Sequence, residues 1–418
     1  MMRSVHGVLG SILVLGAACP AKAGPEPPFV PAVSVRPGLE VLLTDSFHLV
    51  RGRAAALVTN QAGVDHAGLS GVDRLLHAGV HLVALFSPEH GFRGTADPGA
   101  TVASSTDSAT GLPIYSLYGK TSAPTDEMLT GIEVLLIDLQ DAGARYYTYL
   151  WTVTEVMRAA ARHDIPVVLL DRPNPIGGAV QGNVLDTAFQ SAVGLLAIPM
   201  RHGMTLGELA LLARHDLGLG TRLTVVPAAG WRREEYLDET GLPFVPPSPN
   251  LRSLEALIHY PGLCLFEGTT LSVGRGTDHP FEQVGAPWLD TTAVLATLRG
   301  AAHPGVAFEG VRFTPDHPGD GKYADTLVAG IRLRVTDRAV YDPTVTALEL
   351  LQAVANSVAG RSPGVFPKDR SHFTRLFGSG AASLPDSVRG PWPSLTRGWT
   401  AELGRFVIRR RPYLLYPE

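Results

Sequence analysis

Cysteine is almost absent from this chain: of 418 residues, only Cys19 and Cys264 are cysteines. If the first leaves with an N-terminal leader, no intrachain disulfide is possible. The fold must then rest on its apolar core, which a chain of this length can build. Charge is sparse, with Asp, Glu, Lys and Arg making up 18% of residues and a net charge of −4. Such a surface has no basic excess with which to hold a nucleic-acid backbone, so nucleic acid is not expected as a partner. Beyond the N-terminus no stretch reaches the about 18 consecutive apolar residues that a spanning helix needs, and no transmembrane segment is expected. Nucleotide-binding spacings are missing too. There is no Gly-x₄-Gly-Lys-Ser/Thr run, and Gly274-Arg275-Gly276 lacks the third glycine and the strand-to-helix setting of a dinucleotide fingerprint. Ser87 lacks the Gly-x-Ser-x-Gly elbow that exposes a nucleophile. No His-x₃-His or His-Glu-x₂-His spacing occurs, so neither metal nor cofactor is expected.

What is present begins with a leader. Arg3, the apolar stretch Val8 to Ala18 and the small-residue site Ala21-Lys22-Ala23 describe an export signal over residues 1–23, giving a periplasmic or extracellular protein. Its removal takes two cations, Arg3 and Lys22, and no acid, so the net charge moves from −4 to −6. Cys19 offers an alternative as a lipid attachment point, although Gly16-Ala17-Ala18 lacks the leucine expected three residues before such a cysteine.

From about residue 38 to 290, short β-rich runs alternate with helical stretches. This is the pattern of an α/β, Rossmann-like, mostly parallel sheet with crossover helices. Val153, Val156, Met157, Ala160 and Ala161 fall on one helical face. Thr205 and Glu208 form a capping box for the helix carrying Leu206, Leu209, Ala210 and Ala213. Leu223 to Val226 and Leu263 to Phe266 read as further strands. Pro243 to Asn250 is a rigid extended segment, and Gly268 to Pro287 a long loop of the functional kind. After about residue 291 the pattern becomes a smaller α+β C-terminal domain, with strands at 311–314, 326–335 and 405–408 and a helix over 344–358. The expected division is a catalytic domain over 24–290 and a smaller domain over 291–418.

Three apolar runs break into polar clusters. His81 to Phe86 runs into Ser87-Pro88-Glu89-His90-Gly91, Val134 to Ile137 into Asp138-Leu139-Gln140-Asp141, and Val167 to Leu170 into Asp171-Arg172-Pro173-Asn174-Pro175. A weaker fourth run, Ala54 to Val58, ends in Thr59-Asn60-Gln61. In an open α/β sheet, ligands bind outside the carboxyl ends of the strands, so these clusters mark one reaction rim. Glu89 is the leading candidate for a general acid, because a carboxyl fixed between Pro88 and Gly91 and partly desolvated is shifted toward acid duty. Its alternative role is to cap a loop. Asp141 and Glu267 are candidates for the second catalytic group. Asn60, His90, Gln140, Arg145, Tyr147, Arg172, Asn174, His202, Asn250 and Arg275 are candidates for substrate contact. Tyr146, Tyr147, Tyr149 and Trp151 beside carboxylates and amides suit a sugar ring, or else pack beneath the loop. A metal-dependent hydrolase remains open if His90, His202 and an aspartate converge, and so does a non-catalytic glycan-binding protein.

Longer stretches add a resemblance. Ser87 to Gly91, Gly111 to Gly119, Asp138 to Tyr149, Asp171 to Pro175, Arg201 to Thr205, Pro246 to Asn250, Phe266 to Thr269 and Ser272 to Thr277 together resemble the exo-β-N-acetylmuramidases of the NamZ type. The likeness runs from about Gly38 to Tyr416. It implies a site in the cleft between a Rossmann-like domain and a smaller one, and release of β-1,4-linked N-acetylmuramic acid from the non-reducing end of peptidoglycan fragments. It also makes Glu89 the catalytic acid. The partner implied is a peptidoglycan-derived glycan or muropeptide; the oligomeric state is not legible. The lactyl carboxylate of that sugar asks for a cation, for which Arg145, Arg172, Arg201 and Arg275 are candidates. Two departures stand out: Gln181 occupies a position where the family commonly carries glutamate, and the loop Gly94 to Gly99 is altered.

Overall fold

The computed structural model describes residues 35–417 apart from 98, 359–363, 368 and 381–395. The expected leader over 1–23, with Cys19, lies outside the described residues. In chain order the elements are α1 (Gly38–Asp45), β1 (Ala54–Thr59), α2 (Gly71–His77), β2 (His81–Ser87), β3 (Ser105–Thr106), β4 (Pro113–Ser116), β5 (Val134–Asp138), α3 (Tyr149–Arg162), β6 (Val167–Leu170), β7 (Gln181–Val184), β8 (Pro199–Arg201), α4 (Leu206–Asp216) and β9 (Leu223–Val226). There follow α5 (Leu254–Leu263), β10 (Gln283–Ala286), α6 (Thr291–Arg299), β11 (Val306–Phe313), β12 (Val328–Val335), α7 (Pro343–Ser357), α8 (Ser371–Phe377) and α9 (Trp399–Arg410).

Seven strands form one sheet in the order β3-β4-β2-β1-β5-β6-β9, parallel except for the short edge strand β3. Both faces are covered, which is why its strands are near-continuous apolar runs rather than alternating ones. Leu57, Leu85, Leu136 and Val168 pack with α1 and α2 on one side. Val58, Phe86, Ile137 and Leu169 pack with α3 and α4 on the other. That second cluster continues through Leu257, Val284, Ile331, Leu350, Phe373 and Phe406 into the C-terminal elements. There β10, β12 and β11 make a smaller antiparallel sheet in that order. A two-stranded ribbon, β7 with β8, stands apart from both sheets.

Three local expectations are corrected. Leu263 to Phe266 is not a strand: the Ser253 hydroxyl accepts from the Ala256 N–H to start α5, and the chain continues from it into a 3₁₀ turn, Cys264–Gly268. A short, fully buried apolar run carries no period that separates the two conformations. Arg405 to Ile408 lies inside α9, whose buried residues Trp399, Phe406 and Arg410 recur at helical spacing. The stretch Gly268 to Pro287 is not all loop, since its end supplies β10. The capping box on α4 is present as expected, with Thr205 accepting from Glu208 and Glu208 accepting from Thr205.

Asp171, at the carboxyl end of β6, ties the sheet to both α4 and the C-terminus. Its carboxylate accepts from the Thr205 hydroxyl at 2.6 Å, the Gly207 N–H at 2.8 Å and the Tyr416 hydroxyl at 2.7 Å. Burial pushes it up to about 6 against those donors. The folded chain therefore holds this proton more tightly than the unfolded chain, whose aspartate titrates at the ordinary value near 3.8. The resulting stabilisation is complete below that value and is lost as pH rises through about 6. Urea unfolding midpoints should fall across this window, by at most about 3 kcal/mol in free energy. Asp171→Asn should flatten that part of the profile.

Candidate active site

The loops after β2 and β4 and the connection from β5 to α3 enclose a cavity of about 780 Å³, closed on its far side by residues following α5, β11 and the start of α8. Its size suits a sugar-sized ligand. Glu89 and His90 enter it from the β2 end. His90 has φ 70° and Gly91 φ 76°, so the chain turns sharply through the left-handed region directly after Glu89. For a histidine this costs of order 1 kcal/mol and has to be held by its surroundings. The hold comes from the altered loop: Ala96 N–H donates to the His90 carbonyl at 3.1 Å, and His90 Nδ1 lies 2.8 Å from the Ala96 carbonyl. A carbonyl only accepts, so Nδ1 carries the ring proton and Nε2 is left as an acceptor. Burial pulls His90 below the ordinary histidine value despite the charge of Glu89 beside it.

Glu89 is itself buried and held by donors on both oxygens. Oε1 accepts from the Gly99 N–H at 3.0 Å and Oε2 from the Thr148 hydroxyl at 2.6 Å. Tyr118, from the β4 end, lines the cavity beside them. Burial first, and then the charge of Glu89 and a hydrogen bond to it, push the Tyr118 phenol up to about 12. Tyr118 therefore keeps its proton across the working range of pH. Three elements that are distant in sequence converge on one carboxyl group.

Across the cavity, Glu267 and Arg275 form a close ion pair, with Nε at 3.0 Å and Nη2 closer still, both on Oε1. Burial alone would raise the Glu267 carboxyl, but Arg275, and Lys322 behind it, hold it below the usual carboxylate range. Lys322 donates to the carbonyls of Phe266, Glu267 and Leu271 at 3.0–3.3 Å. The aromatic wall is built from Tyr146, Tyr147, Trp151 and Tyr260. Tyr147 stands edge-on to Tyr260 at 6.4 Å. The hydroxyls of Tyr147 and Tyr149 both donate to the Pro247 carbonyl, at 2.7 and 3.1 Å, which docks the rigid 243–250 segment onto the wall.

Of the sequence candidates, then, Glu89, His90, Tyr146, Tyr147, Trp151, Glu267 and Arg275 line one cavity, and the others lie outside its lining. Asp141 accepts from the Gly143 N–H at 2.6 Å and pairs with His202 at 3.3 Å. Gln140 donates to the carbonyls of Asp141 and Pro173, and Asn174 to that of Met204. Arg172 forks onto Asp138 at 2.6 and 2.9 Å. Arg145 donates to the carbonyls of Asn183, Ile198, Leu376 and Phe377. Asn60 donates to the Tyr149 hydroxyl at 2.6 Å, and Asn250 is buried at the end of the docked segment. Arg201 lines a different cavity and donates to Ile176, Gln181 and Tyr236. Gln181 in turn donates to the Tyr341 carbonyl, so the departure at that position falls outside the Glu89 cavity.

Sequence reasoning did not single out Tyr118, Thr148, Tyr260, Lys322 or His372, all of which line the cavity. The first two sit inside motifs that were recognised, one ending at Gly119 and the other at Tyr149, so a signal existed. Lys322 and His372 stand in no motif. Among the described residues, the group of three potential metal ligands with atoms within 4.8 Å of one another is Glu40, Asp65 and His66; His90 and His202 belong to no such group.

With this geometry in place, similarity to known proteins is informative. Residues 55–255 match the family described as exo-beta-N-acetylmuramidase NamZ, N-terminal, and residues 258–416 match its C-terminal counterpart. Over their full lengths, the chain and the peptidoglycan beta-N-acetylmuramidase NamZ of Bacillus subtilis are 38% identical. Two crystal structures of DUF1343 family proteins from Bacteroides fragilis each overlay on 92% of this chain. One has a TM-score of 0.83 at 34% identity, and the other 0.72 at 31%. They cover 100% and 99% of those chains.

Proposed function

Because this chain belongs to the NamZ exo-β-N-acetylmuramidase family, we propose that it is a glycoside hydrolase releasing N-acetylmuramic acid from the non-reducing ends of peptidoglycan fragments, with Glu89 as its acid. The observation that carries the assignment of Glu89 is its setting: a buried carboxyl at a strand end, facing a sugar-sized cavity and fixed by Thr148 and Gly99. A proton placed by such a group on the glycosidic oxygen lets the C1–O bond break toward an oxocarbenium-like transition state. Of the two carboxylates expected to assist, Asp141 lies outside the cavity lining, paired with His202, and Glu267 is tied to Arg275. The 2-acetamido group of the substrate can itself attack C1. Such a reaction asks the protein chiefly for a well-placed acid and a shaped wall, with the His90 Nε2 at hand to accept a hydrogen bond.

The test is release of 4-nitrophenol from its β-N-acetylmuraminide, with the β-N-acetylglucosaminide as control. Release from the first substrate is expected; hydrolysis of neither would overturn the reading. Tyr118→Phe removes the hydroxyl beside Glu89 without opening a void. It should lower kcat by about tenfold while leaving KM and the unfolding midpoint near wild type.

We also propose export, on the strength of residues 1–23, since peptidoglycan lies outside the cytoplasmic membrane. Among the described residues no helix is long and apolar enough to cross a membrane.

A further inference from the structure

N-acetylmuramic acid differs from N-acetylglucosamine by one group, the lactyl ether on O3, which brings a carboxylate into the site. Discrimination between the two sugars therefore needs a cation that faces the cavity with a hydrogen still to give. The structure sorts the four arginines that sequence offered. Arg145 lies outside the lining of the Glu89 cavity with its Nη atoms on backbone carbonyls, Arg172 is paired with Asp138, and Arg201 lines another cavity. Arg275 shares the Glu89 cavity. Lys322 also reaches it, but three carbonyl acceptors already occupy its three protons.

Arg275 is built into place. Gly274 and Gly276 on either side have φ 76° and 74°, and a Cβ on them would meet the His279 carbonyl at 2.7 Å and the Asp316 carbonyl at 2.5 Å. The guanidinium lies 5.1 Å from the Phe281 ring centroid, and its Nε and Nη2 are fixed by Glu267. Nη1 is buried and has no hydrogen-bond partner. A charged N–H left unsatisfied in a buried setting is costly, and an arriving anion recovers that cost.

We propose that Arg275 Nη1 receives the lactyl carboxylate and is the residue that selects N-acetylmuramic acid over N-acetylglucosamine. The inference rests on the family reading above and deepens it. Glu267 then acts as the positioning residue that holds the guanidinium plane, rather than as a second catalytic carboxylate.

The experiment compares inhibition of the wild-type enzyme by N-acetylmuramic acid and by its neutral lactyl amide. The acid should bind about 100-fold more tightly than the amide. Arg275→Met paired with Glu267→Gln removes both charges together, so that no carboxylate is left buried alone, and should bind acid and amide alike. Arg275→Lys keeps the charge but not the fork, and should fall between them. A wild type with no preference for the acid, or a double variant that keeps the wild-type preference, would overturn the proposal. If wild type still liberates 4-nitrophenol from the muraminide in that case, only the role of Arg275 falls and the family reading stands.

Discussion

Glu89→Gln should lower kcat on the β-N-acetylmuraminide by about 10²–10⁴-fold, the range typical of a lost general acid, with KM changed little and the fold intact. Glutamine fits the same space. Its carbonyl oxygen can keep the Gly99 N–H, and the Thr148 hydroxyl can rotate to accept from the amide. What disappears is only the proton the carboxyl could deliver. Steady-state kinetics with a thermal melt as control decide the point. Wild-type kcat in the variant would remove Glu89 from the chemistry and return it to the role of a loop cap.

The second large effect is expected in stability rather than catalysis. Arg172 and Asp138 are both almost fully buried and joined by two short hydrogen bonds. Replacing Arg172 by methionine leaves Asp138 as an uncompensated charge beneath the strand ends. Breaking a buried pair in this way typically costs about 3–5 kcal/mol. Urea denaturation should show a loss of that size, and adding Asp138→Leu to the variant should restore much of it. In the fraction that remains folded, kcat/KM should stay within a few-fold of wild type, because Arg172 does not line the Glu89 cavity. A stable variant with a greatly raised KM would instead make Arg172 a substrate ligand.

The contrast between these two residues shows what the chain discloses before it folds. The parallel strands were legible because strands covered on both faces are apolar throughout, and α4 announced itself through Thr205 and Glu208. The rim was legible because polar residues directly after buried strands must face the crevice or each other. Which of the two they do was not legible. Arg145 finds acceptors at Leu376 and Phe377, more than 230 positions along the chain. Nothing local separates such an arginine from Arg275, which lines the Glu89 cavity. The run Arg405 to Ile408 misled for a related reason: four residues carry too little of a period, and only the burial of Trp399, Phe406 and Arg410 on one face reveals the helix. Tyr118 escaped notice because a tyrosine at a strand end carries no mark of its aim until Glu89 is placed beside it.

Removal of one sugar from one chain end is read directly by mass spectrometry of digested glycan fragments. Two substrates of equal length suffice, one beginning with N-acetylmuramic acid at its non-reducing end and the other with N-acetylglucosamine. Free N-acetylmuramic acid is expected from the first and no cleavage of the second. Internal cleavage of the second, or no monosaccharide from the first, would contradict the exo-acting reading.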